Sequence, residues 1–151
     1  MKLKNIIQAA ALSALLAGGA QAATNQVSNA DITGTVNWYR TNTYVLNGFV
    51  YVEAGEVLNI EAGTVVKAKP GTGAAASALF VSRGGKVFAE GTPDKPIIFT
   101  AEADNVDDAA ARAASGPSLT PFQRGLWGGV VLLGRATINS AENVTGNAAT
   151  P

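Results

Sequence analysis

The sequence predicts an all-β chain wound as a right-handed parallel β-helix with short strands. Three observations carry this expectation. Residues 49–72 fall into three blocks of eight, FVYVEAGE, VLNIEAGT and VVKAKPGT, with Gly55, Gly63 and Gly71 in the seventh place of each. Each block reads as a short apolar stretch closed by a tight turn, where glycine tolerates positive φ without steric cost. The turn phrase E-A-G recurs in the first two blocks, and repetition at a fixed period marks a solenoid, whose short strands gain a shared core only by stacking. A β-sandwich is the alternative, since it also strings short strands between regular turns. Sandwich strands are usually longer, and their turns do not recur as one phrase.

In chain order, the first segment reads as an address. Lys2 and Lys4 form a positive start, residues 6–17 are apolar apart from Gln8 and Ser13, and Ala20-Gln21-Ala22 is an A-x-A cleavage site. This is the layout of a secretory signal peptide over residues 1–22, too short for a spanning helix. Cleavage after Ala22 removes two lysines and no acid, so the mature chain is slightly acidic. Residues 23–42 are expected to form an N-terminal extension and cap. The coils are expected over 43–140, and 141–151 is expected as a linker to further coils or a disordered tail.

The three blocks make one coil, with coils about 4.8 Å apart. Further strands follow at 78–82, 86–89, 96–100, 130–133 and 136–138. Alternation along a strand selects the inward side chains: Val50, Val52, Leu58, Ile60, Val66, Leu79, Val81, Val87, Ile98, Val131 and Leu133. Glu53, Glu61, Lys67 and Lys86 are expected to face water. Residues 101–124 break the pattern. An acidic start, an alanine-rich run with Arg112 and a closing Gly116-Pro117 predict a short capped helix on a loop bulging from the solenoid.

Composition removes much of the usual chemistry. Lys+Arg and Asp+Glu are both 11, and Cys and His are both absent. No disulfide framework, thiol nucleophile, zinc-thiolate site, histidine-ligated metal or Ser-His-Asp triad is available. The charge balance speaks against nucleic acid as a partner. No second apolar stretch approaches membrane-spanning length.

The one acidic cluster is Glu102, Asp104, Asp107 and Asp108. Four carboxylates supply part of a calcium shell of six to eight oxygens, so Ca²⁺ is the single cofactor considered. The spacing matches no EF-hand loop, and helix capping on a solvated loop accounts for the same residues. Trp127, Arg124 and Arg135 are candidate ligand contacts. Trp127 either packs under the insertion or stands exposed. Trp38, Tyr39 and Tyr44 read as a hydrophobic plug over the first coil, with stacking on a sugar ring as the other role.

Residues 44–69 (YVLNGFVYVEAGEVLNIEAGTVVKAK), followed by 78–86, Glu90-Gly91-Thr92, residues 96–100 and Gly125-Leu126-Trp127-Gly128-Gly129, resemble a family of exported bacterial β-helix proteins. That family includes a leptospiral outer-membrane lipoprotein. The resemblance covers roughly residues 32–140 and implies the N-terminal piece of a longer solenoid. It carries over no catalytic residue. No lipid-accepting Cys follows the apolar leader, which departs from the lipoprotein members.

The expected function is a non-enzymatic, exported scaffold for adhesion or ligand binding, located in the periplasm, on the outer-membrane surface or outside the cell. Surface glycans or envelope proteins are the expected partners, and the end of the last coil is expected to favour end-to-end self-association. A fragment of a carbohydrate-active enzyme, a polysaccharide lyase or hydrolase, is the alternative.

Overall fold

A computed structural model describes residues 23–106 and 118–134. The expected leader, Asp107, Asp108, the alanine-rich helix, Arg135, the strand at 136–138 and the tail lie outside these residues. The described residues form ten short strands: β1 (Ala23–Val27), β2 (Thr35–Trp38), β3 (Asn42–Leu46), β4 (Phe49–Val52), β5 (Val57–Ile60), β6 (Val65–Ala68), β7 (Ala78–Val81), β8 (Lys86–Ala89), β9 (Ile98–Ala101) and β10 (Val130–Leu132).

All strand pairs are parallel, and they build three sheets, ordered β1-β3-β6-β9, β2-β5-β8 and β4-β7-β10. The chain visits the three sheets in rotation, so the other two sides of each coil serve as the crossover that parallel pairing requires. This is a parallel β-helix. The three eight-residue blocks are the three sides of one coil, β4, β5 and β6. The ladder starts earlier than residue 43, because β1 pairs with β3 and β2 with β5.

Turns at the corners absorb the changes in coil length. Thr35 lies opposite Val57, and Val57 lies opposite Lys86, so the second coil is the longer of the two. The extra residues sit in the β6–β7 connection, which carries a 3-10 turn at Gly73–Ala75. Gly55 and Gly63 hold φ of 91° and 89° in the turns after β4 and β5. Gly85 serves differently: a methyl built there would overlap the Val52 carbonyl oxygen of the preceding coil. Ser77 ties three coils at one corner. Its Oγ accepts the Gly48 N–H at 3.0 Å, and its carbonyl accepts the Gly128 N–H at 2.8 Å.

At the N-terminal end, a 3-10 turn at Asn29–Asp31 stands beside β4, and Asn29 Oδ1 accepts the edge N–H of Tyr51 at 2.8 Å. A side chain thus satisfies a donor that an edge strand would otherwise expose. The Ser28 N–H and Oγ both donate to Asp31 Oδ2 at 2.7 Å. These bonds hold the Asp31 carboxyl below its usual value of 3.8. Its charged form therefore favours the fold above that value, and the contribution is lost as pH falls through the lowered one.

The interior is a stack of Val50, Val52, Leu58, Ile60, Val66, Leu79 and Val81, with Val87 packed at its edge. Trp38 and Tyr44 are also buried here, stacked with centroids 4.7 Å apart. The expected plug is therefore built from these two, while Tyr39 stands 53% exposed.

Three expectations need correction. In β9, Phe99 follows Val66 in register and packs on the core, as does Ile97, so Ile98 points outward. In β10, Val130 and Leu132 continue the inward rows of Leu79 and Val81, so Val131 lies with outward Phe80. Runs of three or four consecutive apolar residues carry no alternation, and a shift of one residue exchanges the faces. Val130 and Leu132 are 40% and 66% exposed despite their inward register, because β10 is the outermost described strand of its sheet. Finally, Lys67 is 7% exposed rather than solvated, whereas Glu53, Glu61 and Lys86 do face water.

Lys67 is buried because both faces of its sheet are covered. Thr43, Val45, Val65 and Thr100 alternate with the inward residues of β3, β6 and β9, yet all are buried. Asp104 lies on this outer face. Its Oδ2 accepts from Thr100 Oγ1 at 2.8 Å, and its Oδ1 accepts from the N–H and Oγ of Ser118 at 3.2 and 2.8 Å. One carboxylate so fastens both ends of the insertion to the sheet.

Asp104→Ala is expected to cost about 1–3 kcal/mol, since it orphans buried hydroxyl and amide donors. Limited proteolysis should then cut first within 105–118. Gly85→Ala should lower the urea midpoint by about 1–3 kcal/mol of stability, through backbone displacement between two coils. A wild-type midpoint for Gly85→Ala would show that the corner has slack.

Candidate functional site

The outward face of the β2-β5-β8 sheet carries the candidate site. Inward residues Val36, Leu58 and Val87, then Trp38, Ile60 and Ala89, stack in register, so the residues between them form an outward row: Asn37, Asn59 and Phe88. The residues that follow each strand, Tyr39, Glu61 and Glu90, make a second row on the same side. Together these line an open groove of about 460 Å³, floored at its edge by Trp38 and Ile60.

The groove has two exposed rings, two amides and two carboxylates. Tyr39 and Phe88 are 53% and 51% exposed, although large aromatic side chains are usually well covered. Asn59 Nδ2 donates to Asn37 Oδ1 at 2.9 Å, an amide ladder that crosses the coil boundary. The ladder fixes both amides, and the remaining Asn37 Nδ2 and Asn59 Oδ1 bond no described residue. Glu61 is held from two sides. Its Oε2 accepts the Arg40 N–H at 3.0 Å, and its Oε1 lies 3.4 Å from Arg40 Nε. Both side chains of this pair are nearly half exposed, so it adds little stability; its effect is to fix Glu61 and cancel its charge. Glu90 forms no ion pair among the described residues.

The Tyr39 backbone is anchored from beneath. Its N–H donates to the Tyr44 hydroxyl at 2.8 Å, and that hydroxyl belongs to the buried ring stacked on Trp38. The core therefore sets where the exposed Tyr39 ring emerges. Such a surface offers apolar ring faces between fixed hydrogen-bonding groups, on a rigid sheet.

The residues singled out from sequence are not gathered here. Glu102 is exposed and Asp104 is buried in its staple, while Asp107 and Asp108 lie outside the described residues. No group of three acidic ligands able to hold a metal occurs among the described residues. Trp127 packs half-buried against the core and lines a smaller pocket of about 210 Å³ with Phe99, Ala101 and Leu126. Arg124 is exposed, and its Nε donates to the Pro121 carbonyl within its own loop at 3.2 Å. Arg135 lies outside the described residues. No helix among the described residues is long and apolar enough to cross a membrane.

Sequence reading weighed Tyr39 for stacking and placed Glu61 in water, but it missed Asn37, Asn59, Phe88 and Glu90 as one surface. A signal was present: Val-Asn-Trp, Leu-Asn-Ile and Val-Phe-Ala each hold one outward residue between two inward ones. Unequal coil lengths hid their alignment.

No curated protein and no solved structure matches the chain. The family model of a pectate-lyase-like β-helix domain matches residues 30–150. With the parallel three-sheet solenoid observed, this match shows that the chain belongs to the pectate-lyase-like β-helix domain family.

Proposed function

We propose that the chain is an exported β-helix scaffold that binds glycans on the outward face of the β2-β5-β8 sheet without cleaving them. The observation that carries this reading is the pair of exposed rings, Tyr39 and Phe88, flanking the Asn37–Asn59 amide ladder. Sugars present apolar faces to aromatic rings and hydroxyls to amides, and this surface offers both.

Binding suits the groove better than turnover. Glycoside hydrolysis uses two carboxylates, one of them able to give a proton to the leaving group. Here Glu61 is occupied by Arg40 on both oxygens. The lyase route needs a base to take a proton from the sugar, and no lysine or arginine lines the groove. The leader over residues 1–22 supports export, because its three-part layout is that of a secretory signal peptide.

Tyr39→Ala and Phe88→Ala should each weaken glycan binding about tenfold, the scale of one lost aromatic contact. Both rings are exposed, so the melting temperature should stay within about 2 °C of wild type. Affinity electrophoresis against immobilised polysaccharides reads the first effect, and thermal unfolding reads the second. Incubation with the same polysaccharides should release no reducing ends. Cleavage that disappears in Glu90→Gln would instead establish an enzyme at this groove.

A further inference from the structure

We infer that this groove selects an uncharged pyranose chain and rejects polyuronates, and that Glu90 sets the preference. The inference rests on the glycan-binding reading of the same surface.

The charge of the lining decides it. The only ionisable acids and bases among the groove residues, tyrosine aside, are Glu61 and Glu90. Arg40 neutralises Glu61 through its backbone N–H and its guanidinium. Glu90 is exposed and has no ion pair among the described residues, so the groove keeps one negative charge. A uronate ring needs a cation, best a bidentate guanidinium. Arg40 is already engaged with Glu61, and the uronate would meet Glu90 instead. A neutral ring meets no such opposition, and its hydroxyls suit the remaining donor of Asn37 and acceptor of Asn59.

The placement of the rings favours a polymer over a single sugar. Tyr39 follows β2 and Phe88 lies on β8, two strand spacings apart, about 10 Å along the solenoid axis. One pyranose ring does not span that distance, so the two aromatics address different rings of one chain laid across the coils.

The test uses the full chain and isothermal titration with hexasaccharides at low salt. The probes are a β-1,4-glucan, a β-1,4-mannan, an α-1,4-glucan and an α-1,4-galacturonate. At least one neutral probe should bind about tenfold or more tightly than the galacturonate. Glu90→Gln should raise galacturonate affinity about fivefold, as expected for one like charge removed at about 4 Å in water. It should leave the neutral probe within about twofold, and raised salt should narrow the gap in wild type. Galacturonate binding that equals or exceeds the neutral probes, and that Phe88→Ala abolishes, would overturn the selectivity while leaving glycan binding at this face intact. Unchanged selectivity in Glu90→Gln would remove Glu90 from the role. Binding of no probe, or binding indifferent to Phe88→Ala, would overturn both readings.

Discussion

Everything in this molecule depends on the parallel ladder between successive coils. Each strand pairs with the strand one coil away, at the ordinary inter-strand spacing of about 4.8 Å. That spacing stacks like upon like: Trp38 over Ile60, Val36 over Leu58 over Val87, Val52 over Val81. A coil in isolation has four-residue strands and no core. Stacked, it has a continuous apolar interior closed on three sides, which is how repeat architectures become stable.

The ladder also dictates where change is tolerated. A residue added within a strand would invert every following side chain. A residue added at a corner leaves the register intact. The chain follows this rule, keeping short connections at β4–β5 and β7–β8 while lengthening at β6–β7 and β9–β10. The long insertion after β9 is bound back through Asp104, and the outer face of the β3-β6-β9 sheet is buried. That leaves the β2-β5-β8 sheet as the face where exposed rings and amides stand in ordered rows.

The same stacking creates the groove. Asn37 and Asn59 are far apart in the chain yet share a hydrogen bond, and Phe88 extends their row from a third coil. No local segment holds more than a few of the groove residues. The rigidity beneath them comes from the core, most directly where the Tyr44 hydroxyl receives the Tyr39 N–H.

The sequence by itself determined the class of fold, the turn glycines and the inward face of every strand with clear alternation. In residues 49–60 each apolar position is separated from the next by a polar or aromatic one, and turn chemistry is local. It left open the phase of the apolar runs at Ile97-Ile98-Phe99 and at Val130 to Leu133, because periodicity vanishes where every residue is apolar. Only the tertiary structure decided those phases, the burial of Lys67, the fate of Asp104 and the assembly of the groove. Each depends on which residues of other coils lie opposite, and unequal corner lengths erase that correspondence from the linear order. Register across coils is set by hydrogen bonds between segments distant in the chain, from Ala23 opposite Asn42 to Leu79 opposite Val130, and it exists only once they stack.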